Sequence, residues 1–410
     1  MNKYRSIYLL VCFLLYEMTL YPQNLLALQD LQGSRAELEK FIELAILNNK
    51  ELDAYRLQIE SSKANIGIAF ELDKTSVYYN YDENNIASND KALRVFGIEQ
   101  SFLFPTVYGA RRRVYKSQWE QRKTLYEIQK NKLILDISLI YEQIVYVQHK
   151  EKLYVQLDSL YSVFSKAGNR KFELGETTYL EKITAEAKSR QVHTTLIQLK
   201  SQKQALHEQL NALVQNGDIC LVLNDKLSLL NRDCAVAGKE LQEDYLQSIS
   251  QTYSSELRLQ NQNWLPDLNI EFFTGTNHGL GFRQNGFQIG VAIPLFFNGN
   301  VARRRISRFD KQSWEMMRKN REIRMESFFL QKQAELNQHR EMIKYYTENG
   351  NLLSKEIIKT ADMSYKNGEI DFFQYIQSLE NAISIEIDYL DNVLSYNKSY
   401  LELYYFNFNE

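Results

Sequence analysis

At 410 residues, 44% of them hydrophobic and 24% charged, and with a formal net charge of −2, the chain is long enough for two or three ordinary domains. Neither sign of charge is in excess, which excludes a polyanion or nucleic-acid binder by composition. Only four prolines interrupt it against 27 tyrosines, a composition that permits very long helices.

The chain begins "MNKYRSIYLLVCFLLYEMTLYPQN". Lys3 and Arg5 precede an apolar stretch from about Ile7 to Tyr16, too short to span a bilayer but right for the apolar region of an export signal, so residues 1–24 read as a signal peptide with an approximate end. The alternative is an apolar N-terminal helix. Cys12 has no small residue before it, which argues against lipoprotein processing. No other stretch approaches the ~20 apolar residues of a membrane helix, so any entry into a membrane is by strands.

An internal duplication follows. "FGIEQSFLFP...ARRR...QWE" (Phe96 to Glu120) corresponds to "FQIGVAIPLFF...ARRR...SWE" (Phe287 to Glu315), and "KFELGETTYLE" (Lys171 to Glu181) to "SYKNGEIDFFQ" (Ser364 to Gln374). Two anchors at one offset of about 190 residues divide the chain into a first repeat (25–215), an inter-repeat segment (216–240) and a second repeat (241–410). Each repeat reads helix, strand, strand, long helix, turn, long helix.

The predicted strands span 75–83, 92–105, 266–275 and 285–297 and form two hairpins. Alternation places Phe96, Ile98, Phe102 and Phe104 on one face, and Phe287, Ile289, Val291, Ile293 and Leu295 on the corresponding face of the last strand. The opposite faces carry Gly97, Glu99 and Ser101, and Gln288, Gly290 and Ala292. One oily face, one wet face and aromatic ends (Phe102 with Phe104, Phe296 with Phe297) match a transmembrane β-strand; the alternative is a soluble antiparallel sheet covered by a helix. Open sheet edges cannot sit in lipid, and four strands cannot close a barrel. Strands that enter a membrane therefore imply several copies sharing one barrel. Three copies supply twelve strands, a homotrimer with pseudo-sixfold symmetry.

Each hairpin leads into an arginine triplet, Arg111 to Arg113 and Arg303 to Arg305. Cations in a helix's first turns oppose its dipole, so lipid phosphates or solvent at a tunnel wall must favour them; a plain solvated face is the alternative. Beyond the triplets the helices carry seams at seven-residue intervals: Trp119, Tyr126, Leu133, Ile140, Val147, Tyr154 and Tyr161, then Val192, Leu199, Leu206 and Leu213, and later Ile387, Leu394, Leu401 and Phe408. That period is the mark of coiled-coil packing.

With these features in order, the chain resembles the outer-membrane efflux protein family, the TolC-like channels, over nearly its whole mature length. The resemblance implies a mainly α fold with transmembrane β: a long α-helical coiled-coil tunnel in the periplasm, continued by a twelve-stranded β-barrel in outer-membrane lipid, shared by three protomers with four strands each. It implies an exit duct that passively conducts substrates from an inner-membrane pump and a periplasmic adaptor. The C-terminal stretch from Tyr365 to Leu403 looks most like members paired with resistance-nodulation-division pumps. Carried over by motif, the periplasmic tip and gate comprise Phe172, Gly175 and Glu181 in the first repeat, and Tyr365 and Gly368 in the second. Family members often place acidic rings one and two turns beyond the second glycine. Here those positions are Gln374 and Gln377, which leaves Glu181 and Asp371 to supply charge.

Cys220 and Cys234 flank the irregular inter-repeat segment, where an oxidising compartment permits a disulfide as readily as two thiols. Five scattered histidines show no metal-ligand spacing, and no phosphate loop, nucleophile motif or paired catalytic carboxylates stand out, so no enzyme, metal or cofactor is expected. A periplasmic adaptor or a structural coiled-coil protein are the competing classes; neither needs two alternating aromatic hairpins.

Overall fold

The computed structural model describes residues 36–83, 92–217, 220–224, 226–230, 237–277 and 282–406. The predicted signal peptide, Cys234 and Phe408 lie outside these residues. A short helix at 36–48 (α1) leads through Asn49 into α2 (Lys50–Ile68). There follow β1 (Ser76–Asp82), β2 (Leu93–Phe102), α3 (Pro105–Glu173), α4 (Tyr179–Val214), α5 (Ala237–Gln262), β3 (Asp267–Asn277) and β4 (Arg283–Ala292). The chain then runs through α6 (Asn298–Tyr345), a π-helical turn (Tyr346–Gly350), α7 (Asn351–Lys366) and α8 (Phe372–Tyr405).

Prolines set several of these boundaries. Pro105 is the first residue of α3, where its missing N–H leaves no helical bond unmade, and β2 ends before it at Phe102. Phe104 therefore lies beyond the strand. Pro294 has no N–H to contribute to a ladder, so β4 ends at Ala292 and Ile293 and Leu295 extend past it, both exposed.

The two halves keep step along their helices. α3 runs from 105 to 173, and α6 to α7 run from 298 to 366, so both ends are 193 positions apart; α4 and α8 begin with the same offset, at 179 and 372. The second long helix differs from the first in its π turn. There the Asn351 N–H reaches back to the Tyr346 carbonyl, and Gly350 is buried where a Cβ would stand 3.1 Å from Tyr346 Cδ2 and 3.2 Å from Ile385 Cγ2. Tyr346 stacks on Tyr389 at 4.0 Å, which holds the extra residue in the turn.

The chain divides into two compact units, each assembled from pieces of both halves. One comprises Met1–Lys50, Gln129–Lys239 and Ser327–Glu410. Its core is built from Ile137, Ile144, Val147, Leu210, Val214, Leu390 and Val393, all essentially inaccessible. Across this core residues 220–224 and 226–230 lie without regular structure, and side chains of the helices bond their backbone. Asn211 accepts from the Cys220 N–H at 2.8 Å, His207 Nε2 from Val222 at 3.3 Å, and Glu37 from Leu223 at 2.9 Å. Gln148 donates to the Val222 carbonyl at 2.8 Å. Fully buried Asn397 donates to the Ser228 carbonyl and to Glu142, both at 2.8 Å, and accepts from Leu230 at 3.0 Å. A partly buried backbone with no ladder of its own is satisfied by such partners. The second unit, Glu51–Ile128 with Glu240–Glu326, holds the sheet and the helix ends that meet it. Trp314 anchors it, donating to Ser250 Oγ at 2.8 Å and stacking on Tyr253.

Burial raises the Glu142 carboxyl to about 7, and the Asn397 hydrogen bond only partly opposes it. A carboxyl that holds its proton more tightly folded than unfolded stabilises fully below about 4.5, and this contribution is lost as pH rises toward 7. Glu142→Gln keeps a group that accepts from Asn397 without the charge. The loss of thermal stability of the wild type between pH 5 and pH 8 is expected to shrink in this variant, by up to about 3 kcal/mol, measured as unfolding midpoints in detergent.

Candidate functional site

Two regions carry the residues marked by the sequence, one in each compact unit. In the sheet, the strands are antiparallel in the order β1-β2-β3-β4. Their register aligns the apolar positions into rows that cross all the strands: Val77, Ile98, Phe272 and Phe287 form one, flanked by Phe102, Leu268 and Val291 and by Ile270 with Ile289. Most of these side chains face outward, Phe287 62% exposed and Ile289 64%, while Phe102 and Leu268 are half-buried. β1 and β4 each pair on one side only, so among the described residues the sheet has two open edges. β2, β3 and β4 are ten or eleven residues long, the length that spans a bilayer when tilted. No described helix is long and apolar enough to do so.

The reverse face is built differently. Tyr78 lies over Gly97 and Phe273 over Gly286, so that a Cβ at either glycine would collide with the ring, and the register sets the four side by side in one row. An aromatic on the first strand of each hairpin thus covers a glycine on the second, which pins the strand register. In the next row Glu99 stands opposite Glu271 and Glu271 opposite Gln288, and the Tyr78 hydroxyl donates to Glu271. Alternation alone showed the glycines as polar-face positions; pairing them with particular rings required the register. Gly97→Val and Gly286→Val are each expected to lower the thermal midpoint of the protein, at a cost of about 1–3 kcal/mol, by forcing Tyr78 or Phe273 off its strand partner.

In the other unit, the two glycine turns have the same construction. Gly175 and Gly368 have φ of 72° and 73°, a conformation that a residue with a Cβ adopts only with strain. The Glu176 N–H bonds the Lys171 carbonyl at 2.9 Å and the Glu369 N–H bonds the Ser364 carbonyl at 2.8 Å, each closing the end of a helix. Three residues past each glycine a side chain caps the next helix: Thr178 accepts from the Glu181 N–H at 3.2 Å, and Asp371 from the Gln374 N–H at 2.8 Å. Gln374 Oε1 accepts in return from the Asp371 N–H at 3.2 Å, which completes a capping box.

Asp371 and Gln374 are thus engaged with the turn, although both are exposed; Gln377 donates to Asn381 at 3.1 Å. Glu181 is half-buried at the position equivalent to Gln374. Phe172 packs on Tyr179 with Lys182 over its ring, and Tyr365 stacks on Tyr375 at 4.8 Å with Lys171 5.9 Å from its ring centroid. Phe164 is the centre of the cluster, edge-on to Tyr365, Phe372 and Tyr375. Sequence reasoning missed its role, although it falls three residues past Tyr161 in the seven-residue seam. Burial raises the Tyr375 hydroxyl above its ordinary value, and the carboxylate of Asp362 adds to this. Asp371→Ala is expected to cost about 1 kcal/mol and to speed amide exchange at the start of α8, whereas Asp371→Asn, which can still cap, leaves exchange near the wild-type rate.

Cys220 is buried; its predicted partner, Cys234, lies outside the described residues. Among the described residues no group of three or more His, Cys, Asp or Glu is placed to hold a metal ion.

A long helical chain carrying a small antiparallel sheet with one exposed apolar face is the fold of the TolC-like outer-membrane channels, as the sequence resemblance implied. Solved structures share it at low sequence identity. A membrane protein from Pseudomonas aeruginosa superposes with a TM-score of 0.76 at 16% identity, over 90% of this chain and 92% of that one. The Campylobacter jejuni outer-membrane channel CmeC gives 0.75 at 15% identity, over 90% and 85%. The Vibrio cholerae outer-membrane protein VceC gives 0.74 at 12% identity, over 90% and 95%. No protein-family model and no curated protein sequence matches the chain.

Proposed function

We propose that this protein is the outer-membrane exit duct of a tripartite efflux or secretion system. Three copies close a twelve-stranded barrel in outer-membrane lipid, and their helices form a tunnel in the periplasm that docks a periplasmic adaptor and an inner-membrane pump. The observation that carries this reading is the four-stranded sheet with a continuous exposed apolar face and two open edges. In hydrocarbon each unpaired backbone group costs several kcal/mol, so such a sheet is stable there only when β1 of one copy pairs with β4 of the next. A second feature supports assembly. Phe309, Met316, Ile323 and Leu330 recur at seven-residue spacing along α6 and are 58–69% exposed, a seam that a helix of another copy would cover. The shared offset of the helices and the matching glycine turns support the reading of the chain as two repeats.

In this assembly Phe172, Gly175, Glu181, Tyr365, Gly368, Asp371, Gln374 and Gln377 form the periplasmic tip, where the helices converge. Conduction is passive, and the residues at the constriction filter by charge and width. Phe96, Ile98, Phe102, Phe287, Ile289 and Val291 face lipid from the strands, and Phe104, Ile293 and Leu295 continue that face into the interfacial region. The protein extracted in detergent is expected to scatter light as a trimer and to give small, discrete single-channel currents in a planar bilayer. A water-soluble monomer or dimer without conductance would overturn the reading. Gln374→Glu preserves the capping box while adding three carboxylates per trimer. It is expected to raise cation selectivity and sensitivity to block by divalent cations, read from reversal potentials and from current under added divalent salt.

A further inference from the structure

We infer that Arg112, Arg113, Arg304 and Arg305 form a collar that binds the phosphate groups of membrane phospholipids where the strands give way to the helices. The inference rests on the outer-membrane reading above and concerns a surface which that reading leaves unexplained.

The strand order places all four arginines at one rim. β2 and β4 both run antiparallel to β3, so they end on the same side of the sheet, and α3 and α6 begin there. An aromatic band marks this rim. Trp264 stacks on Phe297 at 5.6 Å, Phe70 on Tyr108 at 6.4 Å, the Tyr108 hydroxyl accepts from the Leu103 N–H at 3.0 Å, and Phe296 is 94% exposed. Rings with an apolar body and a polar tip concentrate at the membrane–water boundary. The arginines lie about two helical turns beyond it, roughly 10 Å along the axis. A headgroup layer is about 5–8 Å thick on each side of the hydrocarbon. Helical side chains lean toward the N-terminus, which here is the direction of the membrane, and a long guanidinium stem covers the remaining distance.

Farther from the rim some cations are matched within the chain, Lys123 to Glu120 at 3.0 Å, Lys311 to Glu315 at 3.8 Å and Arg318 to Glu322 at 2.8 Å, whereas exposed Arg308 and Lys319 have no side-chain partner among the described residues. At the rim, Arg303 donates to Asn300 at 2.7 Å and Arg111 is half-buried. Arg112, Arg113, Arg304 and Arg305 are exposed and have no hydrogen bond or ion pair among the described residues. α4 and α5 carry an acid in the first turn, Glu181 and Glu240, whereas α3 and α6, the two helices that follow a strand into the rim, carry none. The arginines' counter-charge is then an external anion. The arrangement occurs in both halves, so three copies present twelve such guanidinium groups in a ring, matched to a ring of lipid phosphates.

Native mass spectrometry of the detergent-purified protein tests this. Phosphatidylglycerol and phosphatidylethanolamine are added in parallel with diacylglycerol of the same acyl chains, which lacks the phosphate, and with inorganic phosphate as competitor. Wild-type trimers are expected to retain both phospholipids but not diacylglycerol, and to release them in 0.5 M salt. At about fivefold in affinity per arginine, R112Q/R113Q/R304Q/R305Q is expected to lose retention by well over tenfold while keeping its trimer mass and single-channel current. The corresponding four-lysine variant retains lipid. Equal retention by the glutamine variant, or by diacylglycerol, would overturn the collar. Displacement of the lipid by millimolar inorganic phosphate would also overturn it, since the site would then be one for free anions. If the fourfold variant fails to assemble, R112Q/R113Q and R304Q/R305Q are compared separately, and the salt and diacylglycerol arms on the wild type decide. A wild type that is monomeric and without current before lipid is added would instead refute the channel reading, and the collar with it.

Discussion

A sheet with two open edges and an uncovered apolar face is the constraint on which the rest of this molecule depends. Among the described residues β1 and β4 each pair on one side only, and Phe287, Ile289 and Val291 stay exposed. In water such a sheet invites aggregation; in hydrocarbon, closure with further copies removes both the edges and the exposed face. On the proposed reading the barrel is therefore the cause of the trimer, and the exposed seam on α6 continues the same association into the helices. A protomer folded on its own leaves both surfaces unmatched.

The wet face of the sheet and the glycine turns show how the duplicated halves solve the same local problem twice. Tyr78 over Gly97 and Phe273 over Gly286 fill the space that a missing side chain leaves, and so fix the register that aligns the apolar rows on the other side. A one-residue slip would turn the whole apolar set to the wrong face. At the helical reversals, Gly175 and Gly368 take the same positive φ, and the caps at Thr178 and Asp371 follow at the same interval. The halves diverge where packing demands it. The π turn at Tyr346–Gly350 accommodates Tyr389, while α3 runs through the equivalent stretch without interruption.

Polar interactions are concentrated where regular structure stops. Residues 220–224 and 226–230 have no ladder, so Asn211, His207, Gln148, Glu37 and Asn397 supply the partners that a second strand would otherwise provide. Glu142 is drawn into this arrangement through Asn397 and becomes the one buried carboxyl there whose burial makes stability depend on pH. At the rim of the sheet the logic reverses: Arg112, Arg113, Arg304 and Arg305 have no side-chain partner among the described residues, and on our inference they find their counter-charge outside the protein.

Much of this was legible in the sequence, because it depends on periodicity and on residues with restricted backbones. Alternation over ten residues placed the strands and their oily face, scarcity of proline permitted the long helices, the repeated glycine motifs located both reversals, and prolines explain where the strands end. Three things were decided only by the tertiary structure. The register joined Tyr78 to Gly97 and Glu99 to Glu271, because strand pairing is a non-local choice that alternation leaves open. The cap at Asp371 committed Gln374 to a structural bond, which spacing from a glycine does not reveal. And Phe164, one aromatic among many, became the centre of a cluster only because α3, α7 and α8 converge on it, a fact about where helices meet and not about any one of them.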